Sequence, residues 1–201
     1  MDDSMFCSGL IGMSPYNKSK FGSLFIEELK KSGAIDEAIF SIFIDANGNS
    51  SKLTIGGYDL EKYSQPNSTL SFHDITNGTY YWGLTLQEFS LFEDNRTHNF
   101  SIGKGSQIIV DSGTSYILMP PYAMRNFTAH IERTLNTNCT KNEYFTNCSC
   151  SDISEFPSLN FTIDRRSYSV LPEDYVVYEN QSCWLELMSG NDVTSDLWIL
   201  G

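Results

Sequence analysis

The 201-residue sequence predicts an all-β protein on three observations: short apolar or alternating segments recur between turn residues, only two segments keep a helical period, and connections are long without internal repeats. The first helix is expected in Ser23–Gly33 (SLFIEELKKSG), with Leu24, Phe25 and Leu29 on one side, basic residues late and Gly33 able to cap the end. IFSIFID (39–45) and KLTIGG (52–57) flank ANGNSS and predict a hairpin. YYWGLTLQEF (80–89) alternates apolar and polar residues like one half-buried strand, and QIIV (107–110) runs straight into Asp111. PPYAMRNFTAHIERTL (120–135) opens on proline, and Met124, Phe127, Ile131 and Leu135 hold the helical period. SLNFTI, SYSVL, DYVVY, CWLEL and DLWILG complete the expected strands.

A chain of this length makes one large domain or two small ones. Hydrophobic residues at 40% and charged residues at 19% describe an ordinary globular protein. A net charge of −12 and a pI near 4.5 argue against nucleic acid as a partner, because phosphate binding needs clustered Lys and Arg. No apolar run approaches the roughly 18 residues of a membrane-spanning helix, so no transmembrane segment is expected.

Five cysteines suit either redox compartment, and the Asn-X-Ser/Thr pattern decides between them. It occurs at Asn17, Asn49, Asn67, Asn77, Asn95, Asn99, Asn126, Asn138, Asn147, Asn160 and Asn180, against about three matches expected by chance. The excess predicts a glycoprotein of the secretory pathway, lysosomal, vacuolar or extracellular, with every one except a buried Asn160 a glycosylation candidate. MDDSMFCSG is nonetheless no signal peptide, and DLWILG stops in mid-strand, so a fragment of a longer chain is expected.

The chemistry concentrates in IIVDSGTS (108–115). An aliphatic run ending at Asp111 predicts a buried strand that delivers a carboxylate to a loop. Gly113 permits a sharp turn, and Ser112, Thr114 and Ser115 supply hydroxyl groups. Hydrogen bonds to the charged form would keep the acid ionised despite burial. A plain Asp-Ser-Gly turn explains the same residues. An aspartyl-phosphate enzyme does not fit, since it needs a second acid at the position held by Gly113.

IIVDSGTS resembles the second active-site motif of the pepsin-like (cathepsin D-like) aspartic proteases, and neighbouring segments keep that family's order. GLIGMSP (9–15) is similar to its apolar-apolar-Gly segment, and the helix-strand run from Phe21 to Ile44 follows. LTIGGYDLEKY resembles its Gly-Gly-X-Asp segment, and YYWGLTL stands where the carboxy-terminal lobe begins. DLWILG resembles that lobe's own apolar-apolar-Gly segment. The resemblance implies a bilobal fold, with residues 1–74 the end of the amino-terminal lobe plus an inter-lobe segment and residues 75–201 an incomplete carboxy-terminal lobe.

It also implies an endopeptidase in which two aspartates and one water cleave a peptide bond, with no metal or other cofactor. Asp111 would be the second catalytic acid, Gly113 its turn residue, and Thr114 its outer hydrogen-bond donor. Ser112 would brace the two catalytic loops, where a threonine is common. Ser115, Ile109, Tyr81 and Leu10 would touch a peptide substrate, although core packing explains Tyr81 and Leu10 as well. Cys150 and Cys183 match the family's lobe disulfide. Cys139 and Cys148 could close a small loop beside it, with Cys148 and Cys150 near enough to exchange partners, and Cys7 is left over. The three histidines, His73, His98 and His130, are scattered and form no ligand set in the sequence.

No second Asp-Thr/Ser-Gly is present, since Asp2 and Asp3 precede Ser4 and Met5. The first catalytic acid is therefore expected in a preceding segment, the whole protein is expected to be a monomer, and these 201 residues alone are expected to be inactive. A catalytically inactive, protease-like binding protein is the competing expectation. Sequence before Met1 discriminates between them. A homodimer of single-Asp chains does not fit, because such chains carry their motif near the start of a much shorter fold.

Overall fold

The computed structural model describes residues 9–15, 22–45, 48, 50–76, 80–100, 105–142, 145–190 and 196–201. Cys7, Asp2, Asp3, Asn17, Asn49 and Asn77 lie outside them. The chain divides into two compact units, Met1–Phe72 and His73–Gly201.

In the first unit, helix α1 (Phe25–Lys31) ends at Gly33, whose φ of 74° suits the left-handed position after a helix. Its one buried side chain is Ile26; of the expected Leu24, Phe25 and Leu29 side, Leu24 (the N-cap) and Leu29 are half-buried and Phe25 is exposed. Strands β1 (Phe40–Phe43) and β2 (Lys52–Ile55) form the expected antiparallel hairpin, with Phe40 opposite Ile55. Helix α2 (Leu60–Tyr63) is a single turn capped by Asp59, which accepts from Lys62 N–H at 3.0 Å. Gly56 has φ 81°, and a Cβ there would lie 2.9 Å from Ile35 Cγ2, so glycine is required on two counts.

The second unit begins with β3 (Gly83–Thr85), β4 (Glu88–Glu93), β5 (Arg96–Phe100), β6 (Gln107–Val110) and β7 (Ile117–Met119), then α3 (Pro121–Thr134). It continues with β8 (Cys139–Lys141), β9 (Thr146–Ser149), β10 (Ser158–Ile163) and β11 (Arg166–Val170). Strands β12 (Val176–Glu179), β13 (Ser182–Leu185), β14 (Leu187–Ser189) and β15 (Leu197–Leu200) end it. Among the described residues these strands form three sheets, with strand orders β11-β10-β4-β5, β12-β13-β9-β8 and β14-β7-β15-β6-β3.

The expected single strand over residues 80–89 is in fact two, in different sheets. Leu86 N–H bonds to Ser106 O while Gln87 N–H bonds to Thr162 O, so the backbone changes partners at that step. CWLEL breaks the same way at Glu186, whose N–H goes to Tyr175 O and whose carbonyl accepts from Ile117 N–H. Strands β5, β7, β8 and β9 escaped the pattern because they are short or polar.

The core lies between the sheets and α3. β10 alternates in burial, placing Leu159, Phe161 and Ile163 inward. Phe89 packs on Trp198 and Phe161 with ring centroids 4.7 and 5.2 Å apart. From α3, Met124, Phe127 and Ile131 enter the same core, as the helical period predicts. Disulfides join Cys139 to Cys148 and Cys150 to Cys183. Cys148 stands opposite both Cys139 and Cys183, so β9 is flanked by a half-cystine on each side. Where His73 opens the unit, it bridges Asp164 at 2.8 Å and the Tyr168 hydroxyl at 2.5 Å.

Candidate active site

Strand β6 carries Ile108 and Ile109 into the core, and its ladder aims the chain at Asp111. β15 runs parallel to β6, with Leu200 beside Val110, and touches β7 on its other edge. Asp111 N–H therefore continues the ladder by donating to Leu200 O at 2.8 Å. The fully buried Trp198 anchors β15 from below.

The loop 111–116 then folds over the end of β15. A Cβ on Gly201 would lie 2.5 Å from Tyr116 O and closer still to Thr114 O, so only glycine fits between these carbonyls. The loop closes as a turn, Thr114 N–H donating to Asp111 O at 3.0 Å. Each carboxylate oxygen of Asp111 accepts one bond: Oδ1 from Gly113 N–H at 3.0 Å, Oδ2 from Thr114 Oγ1 at 2.7 Å. A Cβ at Gly113 would sit 3.2 Å from Oδ1, tight against the carboxylate that its N–H binds.

Asp111 is half-buried, while Ser112, Gly113 and Ser115 are exposed. The carboxylate is thus fixed by two donors from one side while its loop meets solvent on the other. Such a group can take a proton from a water or hold one for transfer. Doing both in one step needs a second acid.

The remaining expected residues are placed as follows. Ile109 is buried, whereas Val110, beside it, is half exposed. Trp82 O accepts from Val110 N–H at 3.0 Å, which brings the Tyr80–Trp82 segment alongside the start of the loop. Tyr81 is 59% exposed and is no core aromatic. Leu10 lies in the first unit and is 81% exposed, so it is no core residue either. Of the sequons, Asn67, Asn95, Asn99, Asn126, Asn138 and Asn180 are exposed. Asn147 and Asn160 are half-buried, with Asn160 Oδ1 accepting from Ser169 Oγ at 2.5 Å.

Reasoning from the sequence did not foresee that Val110 and Trp82 stand exposed beside the start of the loop, because apolar residues on a strand read as core. It also missed that Gly201 is sterically required and that Leu200 O holds Asp111; only the loop's return over β15 reveals both.

A family model described as eukaryotic aspartyl protease matches residues 3–201. Pig pepsin A (Sus scrofa) is 29% identical over 198 residues, covering 96% of this chain and 48% of the pepsin. Mouse gastricsin (Mus musculus) is 26% identical, with the same 96% and 48% coverage. Cattle pepsin A (Bos taurus) is 27% identical over 197 residues, 96% of this chain and 50% of the relative. The chain thus spans about half the length of the curated relatives it matches. Among the described residues no helix is long and apolar enough to cross a membrane. The β-rich architecture and the near-complete family match agree, and the chain belongs to the eukaryotic aspartyl proteases.

Proposed function

We propose that the protein is an aspartic endopeptidase in which Asp111 is one of two catalytic carboxylates. The observation that carries this reading is the pair of hydrogen bonds from Gly113 N–H and Thr114 Oγ1 to the two oxygens of Asp111, at the end of a ladder-held strand in a chain of this family. In the step proposed, one carboxylate of the dyad is ionised and removes a proton from a water, which attacks the scissile carbonyl carbon. The protonated partner gives its proton to the carbonyl oxygen. The two bonds on Asp111 fix its orientation. Ser112 braces the loop, and Ser115, Ile109, Tyr81 and Leu10 contact the peptide.

Asp-Ser-Gly occurs once in these 201 residues. One carboxylate cannot serve as base and acid together, so residues 1–201 alone are proposed to be inactive, the other acid being supplied by further sequence. The substrate is a peptide or protein. Residues 1–74 and 75–201 are proposed to belong to the two lobes of that enzyme, which acts as a monomer. The abundance of sequons, six of them exposed, supports a secretory-pathway location, in a lysosome, a vacuole or outside the cell.

The test is hydrolysis of an acid-denatured protein at about pH 3–5 by the whole protein, with and without a peptide mimic of the tetrahedral transition state. Cleavage blocked by the mimic is expected. Tight binding of unfolded peptide without cleavage would replace the enzyme by a protease-like binding protein. Cleavage by residues 1–201 alone would refute the two-carboxylate requirement.

A further inference from the structure

Away from Asp111, the fold gathers two of the histidines that are scattered in the sequence. Glu93 and His98 lie on β4 and β5, where Glu93 pairs with Arg96 and His98 pairs with Leu91. His98 is thus the diagonal neighbour of Glu93 on the sheet face that α3 covers. His130 descends onto them from α3 and is 5% exposed. Both imidazoles aim Nε2 at one carboxylate oxygen: His130 Nε2 is 2.7 Å and His98 Nε2 3.3 Å from Glu93 Oε1.

We propose that Glu93, His98 and His130 form a binding site for a divalent transition-metal ion of the zinc type, clamping α3 to the β4–β5 hairpin. The three ligand atoms lie within 4.8 Å of one another. Tetrahedral zinc with bonds of about 2.0–2.1 Å sets its ligands about 3.3 Å apart. The His98–Glu93 edge already has that length, the His130–Glu93 edge needs to open by about 0.6 Å, and the remaining edge between the two imidazoles, at most 4.8 Å, needs to close by up to about 1.5 Å. Two imidazoles and a carboxylate suit zinc and its first-row neighbours better than magnesium or calcium, which favour oxygen alone. His98 keeps a side-chain exposure of 40%, which leaves a path for entry and a solvent-facing fourth position.

Arg133 opposes the ion and so supplies a handle on it. Its Nη2 lies 3.2 Å from His130 Nδ1, and a guanidinium can only donate. His130 therefore presents Nε2–H to Glu93 when no metal is bound. To ligate through Nε2, the ring must move its proton to Nδ1 and release Arg133, which is exposed and free to turn to solvent. Removing Arg133 should accordingly tighten binding, which an ion adsorbed elsewhere on the surface would not show.

The experiment titrates ZnCl2 by calorimetry into untagged, chelator-stripped protein with Cys7 alkylated, near neutral pH. One equivalent with micromolar affinity and a rise in melting temperature are expected. His98→Gln, at the exposed ligand, should weaken binding at least about tenfold while leaving the metal-free melting temperature nearly unchanged. Arg133→Ala should tighten it several-fold. No saturable binding, or an affinity that ignores both substitutions, would overturn the proposal.

Discussion

Replacing Gly201 by alanine is the most direct probe of how the fold holds the Asp111 loop. The new methyl would sit 2.5 Å from Tyr116 O and nearer still to Thr114 O, where contact is ordinary only from 3.4 Å. Backbone must therefore move by about 0.9 Å, since no flexible side chain is there to yield. That shift strains or breaks Asp111 N–H to Leu200 O, the bond that extends the β6–β15 ladder into the loop. Overpacking at about 1–3 kcal/mol plus one compromised hydrogen bond at about 1 kcal/mol gives about 2–4 kcal/mol. For a unit of about 130 residues, each kcal/mol moves the melting temperature by about 4 °C, so a fall of about 8–16 °C is expected. Gly190→Ala is the control, because a Cβ there meets only Met119 O at an ordinary 3.6 Å. Thermal melting followed by near-ultraviolet circular dichroism reads both variants. A Gly201→Ala protein that melts within about 2 °C of the parent, like its control, would refute the placement of residue 201 beneath the loop.

The two disulfides should differ in worth: loop entropy assigns about 3.7 kcal/mol to Cys150–Cys183, with a separation of 33, and about 2.6 kcal/mol to Cys139–Cys148, with a separation of 9. Urea titration of the two double Cys→Ala variants should rank them in that order. Tyr175→Phe should cost about 1–3 kcal/mol, because the buried hydroxyl donates to Pro157 O at 2.6 Å. Burial first, and the charge of Glu93 second, raise the Tyr175 pKa well above its ordinary 10.0. The unfolded chain therefore releases that proton from pH 10.0 upward while the fold retains it, so stability falls above pH 10.0 in the parent and this slope is lost in the variant. If the protein traverses the secretory pathway, glycopeptide mapping should find sugar among the exposed Asn67, Asn95, Asn99, Asn126, Asn138 and Asn180. It should find none at Asn160, whose amide oxygen is held by Ser169 within a sheet.

The parts of this protein legible from sequence are those where local pattern and tertiary demand coincide. β10 alternates because one face is buried, and α3 keeps its period because Met124, Phe127 and Ile131 share the core. The Asp111 loop was legible too, because a turn after a buried strand leaves a compact signature. What escaped depends on contacts distant in sequence. The breaks at Leu86–Gln87 and Glu186 are changes of hydrogen-bond partner that side-chain alternation does not register. In α1 only Ile26 is fully buried, beside the half-buried Leu24 and Leu29, and the helical period alone did not single it out. Glu93, His98 and His130 meet only because β4–β5 and α3 pack together, and no spacing along the chain announces it.

The central claim is that Asp111 is one of two acids that share the work of peptide hydrolysis. Asp111→Asn tests it most directly, since the amide keeps the side chain's shape and its contact with Thr114 Oγ1 but can neither take nor deliver the proton. Measured in the whole protein on an acid-denatured substrate, with melting temperature as the check on folding, the substitution should lower kcat/KM by at least about 10³-fold. A folded Asp111→Asn protein that retains activity within about tenfold of the parent would contradict the account.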